Sequence, residues 1–297
     1  MASRIASQES ARFTVHPSLD RLELLAARYR DHAYALHTHP TFVFGVVTAG
    51  VERLRVGRRE SFAGPGSIIV VNPEEPHDGE KGCDDGWSYR TCYPSVGLIR
   101  EIADDLGLPG LPLFPSAVLA APDLAQAFAA AHDRASRGGA LDSEAGLLLA
   151  LRGIVARFGH IGGRGDAAQP AASAARVEAY DAVIAADPAA AVDLSALAAA
   201  AGVTRFQVIR DFKREAAMTP GQYLRDRRVR RACALIGAGL PLAAVAAEAG
   251  FADQSHLTRA FKAVKGVTPA AWRRALFPLV SSSRTQRRSR EDPGPTR

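Results

Sequence analysis

Two stretches in the C-terminal third of the chain decide the fold. Residues 197–232 read LAAAAGVTRFQVIRDFKREAAMTPGQYLRDRRVRRA, and residues 245–275 read VAAEAGFADQSHLTRAFKAVKGVTPAAWRRA. The second stretch repeats the first at an offset of 48 residues before its glycine turn and 49 residues after it. An internal repeat of this kind indicates two copies of one supersecondary unit, and the second copy has a turn that is one residue longer.

Each copy is predicted to fold as a helix, a tight turn and a second helix. Gly202 and Gly250 permit the left-handed backbone that such a turn requires. Thr204 and Asp253 follow the turns, where a side-chain oxygen can cap the next helix. In the second helices, apolar side chains four residues apart should face the core. These pairs are Val208 with Phe212 and Leu257 with Phe261.

This pattern is that of a helix-turn-helix, whose second helix fits the major groove of DNA. One copy alone would be weak evidence, because many helical hairpins look alike. Two copies in tandem, each followed by a Thr-Pro helix start, are much stronger evidence. The outer faces of the second helices supply the predicted DNA-binding residues, which are Thr204, Arg205, Phe206, Ile209, Arg210, Gln254, Ser255, His256, Thr258 and Arg259. Phe206 and Ile209 are expected to read thymine methyl groups, or alternatively to pack inward.

A third helix is predicted between the two copies, from about Pro220 to Ile236. Thr219 is placed to cap it, and proline suits its first turn. This helix carries a strongly basic cluster, formed by Arg225, Arg227, Arg228, Arg230 and Arg231.

The two quoted stretches resemble the C-terminal signature of the AraC/XylS family of bacterial transcription regulators. The resemblance covers residues 176–276 and implies a sequence-specific transcription regulator, which we expect to be an activator. It also implies binding to two successive major grooves of double-stranded DNA, a homodimer, and RNA polymerase as a partner. One departure is Ala216-Ala217, where the family has a glycine before the first Thr-Pro. This departure leaves open how the first of these turns is built.

Residues 13–93 form a β-rich region, with short β-branched and aromatic runs separated by glycine and proline. The pattern turns helical from Pro94 to Gly159. The predicted fold class is therefore α+β: an N-terminal cupin-like β-barrel followed by helices, linked to an all-α C-terminal domain with two helix-turn-helix motifs. We expect an effector-binding and dimerisation domain at 1–159, a linker at 160–175, the DNA-binding domain at 176–276 and a disordered basic tail at 277–297. The helices after the barrel either form a dimer contact, as in relatives, or cap the sheet of a monomer.

The barrel region resembles the cupin sensor domain of the same family, through His37-Thr38-His39-Pro40, Pro65-Gly66 and His77. Residues i and i+2 of a strand share a face, so the first two histidines could share a pocket. With His77 they form a three-imidazole set able to bind zinc or iron. The candidate effector-binding residues are His37, His39, His77, Phe44, Trp87 and Tyr89, although each could instead be a rim, turn or packing residue.

No metal or other cofactor is predicted, for two reasons. Enzymatic cupins carry a glutamate four or five residues after the second histidine, and this chain has Val43 and Phe44 there. The family's sensor cupins also generally bind organic effectors without metal. The expected ligand is therefore an unknown small organic molecule.

Charge and composition agree with the division of the chain into an N-terminal sensor domain and a C-terminal DNA-binding domain. Residues 1–175 carry 17 Lys/Arg against 20 Asp/Glu, whereas residues 176–276 carry 15 against 9. A basic half fits a polyanion-binding module, although a solvated basic face would look the same. The three cysteines, Cys83, Cys92 and Cys233, form no CxxC pair, so a disulfide framework is not expected. With no signal peptide and no membrane-spanning run of residues, a cytoplasmic protein is expected.

Three rival functions stay open at this stage. The first is a metal-dependent cupin enzyme fused to a DNA-binding module, which requires a complete ligand set. The second is an RNA-binding or scaffold protein, which lacks support because the aromatic signatures of RNA modules are absent. The third is a regulator without a small-molecule ligand. The leading interpretation is an effector-responsive regulator that is not an enzyme.

Overall fold

The computed structural model describes residues 9–17, 19–137, 141–161, 172–187 and 193–277. The predicted basic tail lies outside these residues except for Phe277, as does most of the predicted linker at 160–175. The last residues of that linker are helical, because the first C-terminal helix already begins at Ala172. Within the described ranges, no helix is long and apolar enough to cross a membrane.

The described residues contain ten strands in two antiparallel sheets. The strands are β1 (Ser10–Val15), β2 (Glu23–Tyr29), β3 (Tyr34–His37), β4 (Val43–Gly50), β5 (Glu52–Val56), β6 (Arg59–Ala63), β7 (Ser67–Val71), β8 (His77–Lys81), β9 (Trp87–Tyr93) and β10 (Val118–Ala120). The larger sheet has the order β1-β2-β9-β4-β7-β10, and the smaller has the order β3-β8-β5-β6. Residues of both sheets line one pocket, so the sheets face each other, and the predicted β-rich N-terminal half is confirmed.

Three helices cover the outer face of the larger sheet. They are α1 (Val96–Asp105), α2 (Pro122–Ala135) and α3 (Leu141–Phe158). Phe128 of α2 and Ile154 of α3 share one buried core with Phe44 and Val46 of β4. These helices therefore cap the sheet within one chain, as one of the two sequence alternatives expected.

The C-terminal half is wholly helical in its described part. Its helices are α4 (Ala172–Ala186), α5 (Leu194–Ala200), α6 (Arg205–Glu215), α7 (Pro220–Gly237), α8 (Leu242–Glu248), α9 (Gln254–Lys265) and α10 (Pro269–Leu276). The pairs α5–α6 and α8–α9 are the two predicted helix-turn-helix motifs, and α7 joins them. The two helices of each pair pack around buried apolar side chains. These are Val208 and Phe212 in the first pair and Leu257 and Phe261 in the second.

Local capping explains why the helices begin where they do. Thr204 accepts a hydrogen bond from the backbone N–H of Gln207 at the start of α6, and Asp253 accepts one from His256 at the start of α9. Thr219 and Gln222 form a reciprocal capping box at the start of α7. These caps satisfy backbone donors that have no partner within the helix.

The turn after α6 differs in sequence, but not in backbone, from its counterpart after α9. Gly266 follows the last residue of α9 and has a left-handed φ of 71°. The matching residue after α6 is Ala217, which has the same left-handed backbone, with a φ of 52°. The two turns are therefore built alike, and the first one forces an alanine into a conformation that costs roughly 1–2 kcal/mol.

Replacing Ala217 by glycine is expected to stabilise the protein by about 1 kcal/mol, because glycine relieves this strain but gains freedom in the unfolded chain. Thermal unfolding should show a melting temperature about 2–4 °C higher. The matched control is Ala216→Gly, since Ala216 has an ordinary φ of −105°. This control should lower the stability, and a loss of stability in both variants would refute the strain at Ala217.

The barrel and the second helix-turn-helix share one apolar core. Phe13 of β1 stacks on Trp272 of α10, with ring centroids 4.1 Å apart. Tyr29 and Trp87 of the barrel lie in the same buried cluster as Phe261 of α9. The sequence separated the two halves by a linker and a change of charge, and it did not predict this contact.

Candidate DNA interface and barrel pocket

Helix α6 presents its predicted DNA-binding residues to solvent. Thr204, Arg205 and Arg210 are exposed, and Ile209 is half-buried. Phe206 is 74% exposed, so the inward-packing alternative does not hold for this residue. An exposed phenylalanine on a groove-binding helix has a physical use, because apolar side chains contact thymine methyl groups.

Helix α9 presents a more polar face. Gln254, Ser255 and Arg259 are exposed. The ring of His256 is half-buried and stands edge-on to Phe251, with centroids 5.2 Å apart. The hydroxyl of Thr258 donates to the Gln254 carbonyl at 2.8 Å. Gln254, Ser255 and Arg259 are therefore the side chains of α9 best placed to reach base edges.

A chain of hydrogen bonds orients Arg210. Its Nε donates to Oε1 of Gln207 at 3.2 Å, and Nε2 of Gln207 donates to Asp211 at 2.7 Å. The buried Asp211 also accepts two hydrogen bonds from Arg176 and one from the hydroxyl of Tyr180. The hydrogen-bonded Arg176 guanidinium lowers the pKa of Asp211 to about 2. This carboxylate thus stays ionised at neutral pH. It fixes the position of Gln207, which in turn orients Arg210.

The basic cluster of α7 is partly engaged inside the molecule. Arg227 lies 2.7 Å from Asp181 of α4, and Arg230 lies 2.6 Å from Glu74 and 3.3 Å from Asp226. The exposed members of the cluster are Arg225 and Arg231. Part of the positive charge of the C-terminal half therefore forms ion pairs within the molecule and is not free to contact DNA.

A pocket lies between the two sheets of the barrel. Its apolar walls are Val43, Leu54, Ile69 and Val71. Its polar lining is formed by Tyr34, His37, His39, Glu52, His77, Asp78, Tyr89, Thr91 and Tyr93. An apolar cavity with a few converging polar groups is the usual form of a small-molecule site.

Two of the predicted effector-binding residues do not line this pocket. Phe44 lies on the opposite face of β4, because successive side chains of a strand alternate, and it packs against α2 and α3 in the outer core. Trp87 lies at the start of β9 and packs beside Tyr29 in the core shared with the C-terminal half. His37, His39, His77 and Tyr89 line the pocket.

The three histidines meet at one point of the pocket. Nε2 of His37 lies 3.1 Å from Nε2 of His39. One nitrogen of each of the three rings lies within 4.8 Å of the others. Desolvation lowers the pKa of His77 to about 4 and the pKa values of His37 and His39 well below the ordinary value. All three imidazoles are therefore neutral at pH 7.

The sequence missed several polar groups of the pocket. Glu52 is buried and desolvation raises its pKa to about 8. The hydroxyl groups of Tyr34 and Tyr89 form a short hydrogen bond with each other. The signal for Glu52 was present, because Glu52, Leu54 and Val56 alternate along β5 and a lone carboxylate stands on its inward face.

The pocket is joined directly to the DNA-binding half. Thr38, which stands between two pocket histidines, donates its N–H and its hydroxyl to Asp226 of α7 at 3.2 and 2.8 Å. Tyr29 donates its hydroxyl to the carbonyl of Gly266 after α9 at 2.8 Å. Tyr34 of the pocket lies within 3.3 Å of the same Tyr29 hydroxyl.

Tandem helix-turn-helix motifs beside a barrel with an internal pocket define a class of protein: a DNA-binding transcription regulator with an N-terminal ligand-binding domain. Residues 21–151 match the AraC-like ligand binding domain, and residues 197–275 match a helix-turn-helix domain. The chain belongs to the AraC-type transcription regulators.

Individual relatives agree with this assignment. An uncharacterized HTH-type transcriptional regulator of Bacillus subtilis (strain 168), YbfI, is 24% identical over 223 residues, which are 74% of this chain and 80% of the relative. Apo ToxT of Vibrio cholerae has a TM-score of 0.52 at 11% identity, over 86% of this chain and 97% of ToxT. ToxT of the same species with a bound unsaturated fatty acid has a TM-score of 0.50 at 12% identity, over 93% and 98% of the two chains. At such identities the structures show a shared fold.

Proposed function

We propose that this AraC-type regulator is an effector-responsive activator of transcription and not an enzyme. It acts in the cytoplasm, where its DNA lies, and each chain binds two successive major grooves. The observation that carries the proposal is the pair of exposed recognition faces on α6 and α9, joined by one continuous helix, α7. The interaction with DNA relies on Arg210 and Arg259 for base contacts.

The effector in this proposal is a small organic molecule that binds inside the barrel. Neutral imidazoles, tyrosine hydroxyls and the Glu52 carboxyl supply its polar contacts, and the valine and isoleucine walls cover its apolar part. ToxT, which shares the fold, binds an unsaturated fatty acid. The many hydrogen-bonding groups in this pocket favour a more polar molecule here.

Coupling between the effector and DNA would run through Thr38 and strand β3. An effector that displaces His37 or His39 moves Thr38, which is bonded to Asp226 on the helix joining the two motifs. Leu36 of β3 packs against the core of the first motif, and Tyr34 packs beside the core of the second. A shift of one strand therefore reaches both recognition helices. Couplings of this kind are typically ~1–3 kcal/mol.

The proposed active form is a homodimer that recruits RNA polymerase. Supporting the dimer, α3 carries Leu149, a large apolar side chain with 67% of its surface exposed. Linking two DNA-binding chains raises affinity without new DNA contacts, because the second chain binds at a high effective concentration.

Genome-wide footprinting of the full chain tests the proposal and supplies its operator. We expect a small number of strong sites upstream of promoters, and higher transcription from those promoters in a purified system with RNA polymerase. Uniform coverage without sequence preference, or an RNA-bound population instead, would contradict the proposed function.

A further inference from the structure

Glu52 places a buried carboxyl group without a partner in the wall of the barrel pocket. The residue is 8% exposed and lines the space between the two sheets. Desolvation alone raises its pKa, because no charge or hydrogen bond from the part of the chain that the structure describes acts on the carboxyl. Burying such a group costs free energy unless something pairs with it. A ligand that pairs with Glu52 would remove this cost.

Gly79 of β8 leaves the space that this carboxyl occupies. A Cβ at Gly79 would stand 2.5 Å from Oε1 of Glu52 and 3.8 Å from the ring of Tyr34. The backbone of Gly79 is not left-handed, so its conformation does not require glycine. The missing side chain therefore serves to hold the carboxyl in this position, next to the ring of Tyr34.

The charges around the pocket favour a cation as its ligand. The lining contains no lysine or arginine, and its three histidines are neutral at pH 7. Its second acid, Asp78, already pairs with Arg55. Lys265 lines the neighbouring cleft and lies 3.7 Å from Glu23. A negatively charged ligand would therefore find no counter-ion in the lining, whereas a positively charged one would find Glu52.

Aromatic rings and hydrogen-bond acceptors complete the surroundings of a cation. Tyr34 and Tyr89 line the pocket, and the faces of aromatic rings attract positive charge. Nδ1 of His77 lies 2.9 Å from the carbonyl of Glu75. Because a carbonyl only accepts hydrogen bonds, Nδ1 carries the proton and Nε2 is an acceptor. Acceptors of this kind suit a protonated amine, whose N–H groups donate.

We propose that the effector is a small organic amine in its protonated form, and that Glu52 is the counter-ion of its ammonium group inside the barrel. The positive charge keeps the carboxyl ionised, since an opposite charge nearby favours the charged form. The apolar part of the amine lies against Val43, Leu54 and Ile69. This inference rests on the proposed function, because it names the chemical class of the effector.

The test is calorimetric titration of the full chain with matched compounds. The compounds have a butyl, a cyclohexylmethyl or a phenethyl body, and each body carries an ammonium, a hydroxyl or a carboxylate end group. On at least one body, the ammonium compound should bind. Its hydroxyl and carboxylate counterparts should bind at least ~10-fold more weakly, because they lose a hydrogen bond between two charged groups.

Four variants assign the effect to the carboxyl group. Glu52→Gln should weaken binding of the amine roughly 10–150-fold, whereas Glu52→Asp keeps the charge and should lose less. Gly79→Ala keeps every charge but places a Cβ where the carboxyl lies, so it should also weaken binding. The matched control is Glu60→Gln, which changes an exposed glutamate of the neighbouring strand β6 and should bind like the parent.

Circular dichroism and thermal unfolding without ligand separate lost binding from lost folding. Tighter binding of the hydroxyl or carboxylate compounds, no binding of any amine, or parent-like affinity in a folded Glu52→Gln variant would overturn the inference. Operator binding and transcription are measured on the same samples. Sequence-specific DNA binding without amine binding would refute only the inference. Amine binding that depends on Glu52 but changes neither operator binding nor transcription would support the amine site and refute the proposed effector response.

Discussion

Replacing Arg210 or Arg259 by alanine is expected to weaken binding to the operator by about 1–3 kcal/mol, or roughly 5–150-fold, because each variant loses a bidentate contact to a base. The two residues occupy matching positions in the tandem repeat, and both are exposed on the recognition faces. Titrations at fixed salt against operator and unrelated DNA measure the effect. The loss should be larger on the operator.

Two further variants show what kind of contact is lost. A lysine at either position keeps the charge but not the forked donor, so it should rescue binding only if the contact is to phosphate. Arg100→Ala removes an exposed arginine from α1, on the barrel side, and should leave binding unchanged. Parent-like operator affinity in both Arg210→Ala and Arg259→Ala would remove these residues from the DNA interface.

Replacing Gly266 by alanine is expected to destabilise the full chain by about 2–5 kcal/mol. Its left-handed φ of 71° costs an alanine roughly 1–2 kcal/mol. The new Cβ would also stand 2.5 Å from the hydroxyl of Tyr29 and too close to that of Tyr34. Relieving these clashes would break the buried hydrogen bond from the Tyr29 hydroxyl to the Gly266 carbonyl. Losing that bond costs about 1–3 kcal/mol. Thermal unfolding measures the total.

Gly202→Ala is the matched control for this prediction. Gly202 also has a left-handed φ, of 63°, but a Cβ there would meet no atom within 4 Å. This control therefore contains the backbone cost alone. The excess loss in Gly266→Ala measures the contact between the barrel and the second helix-turn-helix. Equal losses in the two variants would mean that this contact contributes nothing to stability.

Features that depend on neighbouring residues could be predicted from the sequence. A capping side chain acts on a backbone donor two or three residues away, so Thr204, Thr219 and Asp253 could be placed without knowing the fold. The two helix-turn-helix motifs follow from such signals and from apolar spacing. The sequence placed Phe206 on the outer face but left inward packing open, because an apolar side chain also fits a core position; its exposure of 74% decides between the two.

Contacts between distant parts of the chain could not be predicted from such local signals. Alternation along β4 predicts that Val43 and Phe44 point to opposite faces, but either face could have been the pocket. The answer depends on α2 and α3, which cover the Phe44 face. Likewise, nothing near Phe13 in the sequence indicates that it stacks on Trp272, since two separately foldable halves would show the same local patterns.

The histidine cluster of the pocket lies between these two cases. The spacing of His37 and His39 predicted a shared face, and His77 was a plausible third member. Two arguments spoke against a metal there: the glutamate of enzymatic cupins is missing, and the family's sensor cupins generally bind organic effectors without metal. The backbone carbonyls of Ala35 and Glu75, which lie 2.7 and 2.9 Å from Nδ1 of His37 and His77, could not be predicted from the sequence.

Hydroxyl-radical footprinting of the full chain on its operator tests the central claim most directly, namely that each chain reads DNA with both helix-turn-helix motifs. The account predicts two protected patches per chain in successive major grooves, one helical turn or about 10 base pairs apart. Arg210→Ala should weaken one patch and Arg259→Ala the other. A single protected groove per chain, unchanged by one of the two substitutions, would contradict it.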